Sequence, residues 1–352
     1  MKKSLIALAV LAASGAAMAQ SSVTLYGIAD LWFGSVSQDA LNAAPNPNGT
    51  VSSTRTTVMQ SGGVNGSRWG LKGSEDLGGG LKANFDFQQG FSMDTGAAGT
   101  ATLAFSRQSW VGLSGGFGAT RLGRTTTPYD DVNGSSNAMF DSALAPANNI
   151  FLSTGYNARP NNTFYYQAPN MGGLSGAVSY SLAEDAATDD TFSANLTYGA
   201  GPFKVQLAYQ VEGESTGTTP KAEATYTRIG GSYAFGPLTA KGTYGQVDNY
   251  KGLSGKDGTD WQLGLDYAMG PWVFTGSYAE TDIDGYSIPG NTVPPTVRLV
   301  NDEKRKGFGL GAAYSLSKRT YVYGGYEADR SEQSGRSDIE HSIFALGVNH
   351  KF

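Results

Sequence analysis

The chain has 352 residues, with 49 Gly, 19 Tyr, two His and no Cys. Glycine stands at about 14 %, twice the usual share of roughly 7 %, and charged residues at only 16 %. No disulfide scaffold or thiolate metal site is possible, and 25 basic against 30 acidic residues leave no nucleic-acid footprint. So much Gly with so little Lys, Glu and Arg argues against a helical cytosolic enzyme and for a β-rich chain.

Residues 1–19 read as a secretory signal peptide. Lys2 and Lys3 precede an apolar run, Leu5 to Ala13, and Ala17-Met18-Ala19 is a small-x-small cleavage site. Cleavage is expected between Ala19 and Gln20. The apolar run reaches about 14 Å as a helix, half of a roughly 30 Å bilayer core. The mature chain would hold 352 − 19 = 333 residues with a formal charge of −5 − 2 = −7. No later stretch offers the 18 apolar residues of a membrane helix.

Residues 20–352 form one domain whose hydrophobicity alternates with period 2. Leu81, Ala83, Phe85 and Phe87 alternate with Lys82, Asn84, Asp86 and Gln88. Phe203, Val205, Leu207 and Tyr209 alternate with Lys204, Gln206, Ala208 and Gln210. Trp261, Leu263, Leu265 and Tyr267 alternate with Gln262, Gly264 and Asp266. Such segments are strands with one apolar and one polar face. In chain order they are predicted near 23–34, 67–75, 80–92, 104–114, 117–124, 161–168, 173–182, 191–199, 202–212, 226–235, 238–247, 259–268, 271–281, 305–315, 319–328 and 341–352.

Short connections rich in Gly, Pro and Asn alternate with long ones at 35–66, 93–103, 125–160, 183–190, 213–225, 248–258, 282–304 and 329–340. Tight turns on one side and long loops on the other are the mark of a transmembrane β-barrel. The expectation is all-β: sixteen antiparallel strands, short periplasmic turns, long extracellular loops and a lumen wide enough for water. In the last strand Phe344, Leu346, Val348, His350 and Phe352 share one parity, a lipid-facing row ending in an interfacial aromatic.

Parity also sorts the charges. Arg68 lies opposite Trp69 and Leu71 and points inward, with Lys72 and Lys82 on the same face. Arg121 alternates with Leu122, Arg159 shares parity with Asn161 and Thr163, and Arg228 lies opposite Ile229 and Tyr233. The loop 125–160 carries Asp130, Asp131 and Asp141 among apolar Met139, Phe140, Leu144 and Ile150–Leu152. A loop of this length is functional or disordered, and its apolar residues suit packing against an inner wall.

SVTLYGIAD (22–30), SRWGLKGSEDLGGGLKA (67–83), RQSWVGLSGGFGATRLGR (107–124), NNTFYYQAP (161–169), LSKRTYVYGGYE (316–327) and the terminal HKF (350–352) resemble the general porins of Gram-negative outer membranes, in the neisserial and betaproteobacterial branch. The resemblance spans essentially the mature chain and is weakest in the long loops. It implies a barrel set in outer-membrane lipid and lipopolysaccharide, usually trimeric, passing ions and small hydrophilic solutes by passive diffusion. It implies a third long loop folded into the lumen as the constriction. Arginines placed like Arg68, Arg107 and Arg159 line the narrowest section. Arg107 rests on the resemblance alone: it shares parity with Val111 and Leu113, so a bulge must re-aim it. The terminal aromatic resembles the signal read by the barrel-insertion machinery. Arginines facing loop carboxylates set up a transverse field, and the expected selectivity is for anions.

Other motifs carry less. Gly112-Leu113-Ser114-Gly115-Gly116 fits G-x-S-x-G but runs from a strand into a hairpin, with no His nearby. Asp338 and His341 could form an acid–base pair at the extracellular rim, although a solvated loop end is the simpler reading. Asp282 and Asp284 read as solvated. Glycines within strands are read as permitting curvature and close packing. No phosphate-binding, zinc or calcium motif occurs, so no cofactor or metal is implied. The rivals to a diffusion porin are a channel selective for a sugar, phosphate or organic acid, a barrel enzyme, and an adhesin on a plugged barrel.

Overall fold

The computed structural model describes residues 22–41, 51–184, 190–213, 221–289 and 297–352. Its strands are β1 (Ser22–Leu41), β2 (Val51–Ser61), β3 (Arg68–Gly78), β4 (Leu81–Gly90), β5 (Gln108–Gly115), β6 (Gly118–Arg124), β7 (Thr163–Gln167), β8 (Leu174–Ser181), β9 (Thr191–Ala200), β10 (Phe203–Glu212), β11 (Ala224–Phe235), β12 (Leu238–Asp248), β13 (Gly258–Met269), β14 (Trp272–Ile283), β15 (Tyr286–Pro289), β16 (Val297–Val300), β17 (Glu303–Ser315), β18 (Thr320–Gln333) and β19 (Ile339–Lys351). Seventeen of them form one sheet, and β15 and β16 pair separately as a hairpin in a long loop. β1 pairs with β3 through residues 22–28 and with β2 through residues 31–41. Thus β2 and β3 share one position in the wall, and the sheet has sixteen. β1 also pairs with β19, from Ile28↔Lys351 to Gln38↔His341, and closes the barrel. Gly27 and Phe352 exchange both backbone hydrogen bonds at that seam, 3.0 and 3.1 Å. Closure removes the open edges of the sheet's first and last strands, β1 and β19.

The first long connection differs from the expectation of a loop over 35–66. β1 runs on to Leu41 and β2 occupies Val51–Ser61. Residues 51–61, VSSTRTTVMQS, are polar on both faces, so period 2 is invisible there, yet their Thr and Val suit extended backbone. Likewise the last long loop shrinks to residues 334–338. The expected cleavage site, Ala19 and Gln20, lies outside the described residues.

The burial pattern inverts that of a soluble protein. On β13, Leu263 is 64 % exposed on the outside, whereas the inward Asp260 and Gln262 are buried. Phe203, Tyr233, Phe235, Tyr267, Trp272 and Phe274 lie on the outside near the short-turn end, an aromatic girdle of the kind that marks a membrane interface. The outward cations Lys304, Lys306 and Arg330 sit at the long-loop end, paired with Glu280, Glu332 and Glu340. A Lys or Arg facing lipid at mid-membrane would cost about 2–4 kcal/mol. The outer row of β19 matches this surface: Phe344, Leu346, Val348 and Phe352 are exposed, and His350 Nδ1 shares a 2.9 Å hydrogen bond with Thr320.

Candidate pore constriction

What fills the barrel is the connection between β6 and β7. It contains short helices at Pro128–Asn133 and Pro146–Ile150, with two single 3-10 turns between them. Pro128 opens the first helix, and Thr127 caps it by accepting from the Asp130 N–H. Tyr129, Met139, Leu144, Ile150 and Leu152 are fully buried. Tyr129 packs edge-on against Tyr156 and Tyr226, with ring centroids 4.5 and 6.4 Å away. These apolar contacts form a core within the barrel, between the loop and the inward face of the wall.

Polar wall residues tie down the loop backbone. Thr275 Oγ1 accepts from Met139 N at 2.8 Å. Asp260 accepts from Ser153 N and Oγ at 2.9 and 2.8 Å. Lys241 Nζ donates to the Asn137 carbonyl at 3.0 Å and pairs with Asp266 at 2.8 Å. Close approach needs bare backbone in the wall. A Cβ at Gly264 would collide with Ala138, and one at Gly245 with Ser153 and Asp260. The inward glycines here seat the loop, which agrees with the packing role read from sequence.

Arg228 faces inward as parity predicts but does not line a pore. It is 3 % exposed beneath the loop. It donates to Asn137 Oδ1 at 2.6 Å and Ser153 Oγ at 3.3 Å. Parity reports the face of a strand, not what later covers it. Asp141 also departs from the expected role: it accepts from the loop's own Asn137 and Asn148, at 2.7 and 3.2 Å.

The opposite wall is different. Arg68 on β3, Arg107 just before β5 and Arg159 before β7 come together: Arg107 lies within electrostatic reach of Arg159, Arg68 and Asp130, and Arg68 within reach of Arg159. Arg107 arrives by the bulge its parity demanded. The regular ladder pairs Gln108 with Gln88, and the Arg107 N–H donates to that same Gln88 carbonyl at 3.1 Å. Two residues thus oppose one, and the Arg107 guanidinium bonds Gln88 Oε1 at 2.8 Å. On the loop, Asp130 pairs with Arg159 at 3.3 Å and accepts from Tyr156 Oη at 2.8 Å. Burial pushes the Asp130 carboxyl above its ordinary value, and Arg159 opposes that shift. Asp131 accepts from Thr126 and Tyr165, each at 2.7 Å.

Sequence reasoning missed Arg124. It shares parity with lipid-facing Leu122, but Gly123 at φ 130° turns the backbone between them. Its guanidinium bonds the Ser106 carbonyl and Asn161 Oδ1, both at 2.8 Å, within reach of Arg159. The remaining inward cations lie nearer the short turns. Arg121 stacks on Tyr165 at 4.4 Å and Trp110 at 5.4 Å. Lys72 lies over Tyr26 at 4.8 Å. Lys82 is exposed beside the first short turn. It is eight residues down β4 from Gly90, the partner of Arg68, so about 26 Å along the strand at roughly 3.3 Å per residue. It belongs to the barrel rim rather than to the arginine group. His341 does not pair with Asp338, which binds Arg330 at 3.5 Å. It bonds Asp329 at 2.8 Å instead.

Comparison with known proteins agrees with this architecture. Residues 5–334 match the family model described as Gram-negative porin. Outer membrane porin protein 32 of Delftia acidovorans is 34 % identical over 99 % of this chain and 95 % of its own length. The major outer membrane protein P.IB of Neisseria gonorrhoeae is 33 % identical over 64 % of this chain and 62 % of its own. Among solved structures, the anion-selective porin from Comamonas acidovorans superposes with a TM-score of 0.71 at 25 % identity, covering 95 % of this chain and all of that one. These are channels, not enzymes. The chain belongs to the Gram-negative porin family: it is an outer-membrane β-barrel that passes solutes by passive diffusion.

Proposed function

We propose that Arg68, Arg107, Arg124 and Arg159 form the positive wall of the narrowest section, with Asp130 and Asp131 on the facing loop, and that the channel prefers small hydrophilic anions. One observation carries this reading: three guanidinium groups gather around a fourth, that of Arg159, and among the described residues the one ion pair between this group and the loop is Arg159 with Asp130. The unbalanced positive charge, in a low-dielectric frame, lowers the energy of a passing anion and raises that of a cation. Arg121 and Lys72 continue the positive path toward the periplasm, while Asp141, Arg228 and Lys82 stand outside it. The anion selectivity in the name of the Comamonas relative points the same way.

The reading extends to partners. The outer row ending in His350 and Phe352 serves as the signal for the barrel-insertion machinery. The paired outward cations near the long loops contact lipopolysaccharide, and the working form is a homotrimer. Current steps that close in threes would support that assembly.

The test is a reversal potential across a planar bilayer under a salt gradient. The parent should show the anion sign. Arg107→Gln should reduce the preference: one unit charge about 7 Å from the ion path contributes about 0.6 kcal/mol at water-like dielectric, or about threefold for each ion and, with opposite signs for anion and cation, about sevenfold in permeability ratio. A cationic sign in the parent, or no change in Arg107→Gln, would refute the reading. Saturable block by one solute would favour a substrate-selective channel.

A further inference from the structure

The His341 neighbourhood stands apart from the arginine group described above, yet it gathers three metal-binding groups. Glu327 and Asp329 lie two residues apart on β18, so both point into the lumen. His341 on β19 is the direct cross-strand partner of Asp329. Its Nδ1 is 2.8 Å from Asp329 Oδ2 and 3.7 Å from Glu327 Oε2. One ligand atom from each residue falls within 4.8 Å of the others. The 2.8 and 3.7 Å separations bracket the roughly 3.4 Å between donors set about 2.1 Å from a tetrahedral ion, and a side-chain rotation brings the third pair to that spacing.

A second observation is independent of that spacing. Glu327 is fully buried, and neither of its carboxylate oxygens receives a hydrogen bond of good geometry: Asn149 and Asp329 stand beside it, and His341 Nδ1 is 3.7 Å away. A buried carboxylate so weakly partnered is costly, and a second carboxylate beside it adds repulsion. The nearest inward cation on β17, Arg305, is held by Glu303 at 2.7 Å and by the Ile150 carbonyl at 3.4 Å. Both contacts direct its guanidinium away from Glu327. A divalent ion would supply two positive charges and so hold both Glu327 and Asp329 in their ionised form.

We infer that Glu327, Asp329 and His341 form a site for a borderline divalent cation of the zinc type, open to the lumen through the partly exposed His341. One imidazole and two carboxylates suit Zn²⁺ better than Ca²⁺ or Mg²⁺, which prefer oxygen donors alone. The fourth position is left to water or to a passing anion. The site lies where β18 meets the helix Pro146–Ile150: Asn149 stands beside Glu327, and a Cβ at Gly325 would lie 3.0 Å from Leu144. An ion here braces the loop from the wall and removes negative charge from the anion route.

The test uses the purified, folded porin and Zn²⁺ alone as probe. Isothermal titration should give one saturable Zn²⁺ per chain in the parent and none in His341→Ala. Glu327→Gln provides a second variant, and heat-modifiable electrophoretic mobility verifies that each barrel is folded. In the bilayer, micromolar Zn²⁺ should shift the parent reversal potential further toward anions and leave His341→Ala unmoved. Absence of binding by the parent, or equal binding by both folded variants, would overturn the assignment. A proton shared between Glu327 and Asp329 would then be what neutralises the pair.

Discussion

The two inner walls of the barrel use the same residue types for opposite ends. Between β3 and β7, Arg68, Arg107, Arg121, Arg124 and Arg159 remain partly exposed to the lumen. Between β11 and β14, Arg228 and Asp260 are buried and Lys241 is largely covered, all three engaged with the loop or with each other's neighbours. On one wall a charge acts on whatever passes; on the other it acts on residues 136–153. Facing the lumen is therefore necessary for a role in selectivity but not sufficient. What separates the walls is which of them the loop covers.

The strongest challenge to that division is to break the seat. Asp260 accepts two hydrogen bonds from Ser153 and supplies countercharge to Arg228. Asp260→Asn leaves Arg228 buried without it, a loss of about 3–5 kcal/mol. The loop should detach from β13 while the sixteen-position sheet persists, because the strand ladder does not depend on this pair. Single-channel currents should grow larger and noisier, with electrophoretic mobility still that of a folded barrel. Replacing both charges, Arg228→Met with Asp260→Leu, should recover much of the lost thermal stability, since an apolar pair of similar size needs no countercharge. Unchanged currents in Asp260→Asn would show that the apolar contacts of Tyr129, Met139 and Leu144 hold the loop unaided.

The barrel was legible in the sequence because a membrane forces a simple code. Every lipid-facing position must be apolar, so period 2 survives wherever a strand crosses the bilayer, as in Phe203–Val211 and Trp261–Tyr267. The code lapses beyond the membrane, which is why β2 went unseen: Ser52, Thr54, Thr56 and their neighbours face water on both sides. Inside the barrel, parity placed Arg68, Lys72 and Arg121 on the inner face. It lost Arg124 to the backbone turn at Gly123, and it did not support Arg107, which the resemblance alone supplied and which the bulge opposite Gln88 turns inward. The fates of Arg228 and Asp141 depend on where the loop comes to rest, which contacts distant in sequence decide. The Glu327–Asp329–His341 group was hidden for a similar reason. Its members meet across a strand pair, without the fixed spacing of a helical or hairpin metal motif.

A milder challenge changes one charge on the exposed wall without mutation. Burial raises the Asp130 carboxyl above the ordinary Asp value, and Arg159 offsets this only in part. As the pH falls, Asp130 therefore takes up its proton earlier than a solvated aspartate would. Its negative charge disappears while the guanidinium groups keep theirs, so the net change near Arg159 is one unit positive. Anion preference should rise by about sevenfold through this step, about threefold from each ion, and Asp130→Asn should show the raised preference at neutral pH with the step missing. A preference that falls on acidification would place the controlling carboxylate elsewhere.

The smallest effect belongs to Lys82, and its salt dependence sharpens the comparison. Lys82 faces the lumen as Arg68 does, but stands about 26 Å away along the strand, at the exposed rim. The Debye length is about 10 Å in 0.1 M salt and about 30 Å in 0.01 M. At the higher salt its charge is screened from an ion at the arginine group, and Lys82→Gln should leave the reversal potential unchanged. At the lower salt the same charge reaches that far, and a small loss of anion preference should appear. Arg107→Gln differs in kind, because its charge lies within a Debye length of the ion path at both concentrations. An equal response of the two variants in 0.1 M salt would mean that selectivity is spread along the whole lumen, and the division between rim and constriction would fail.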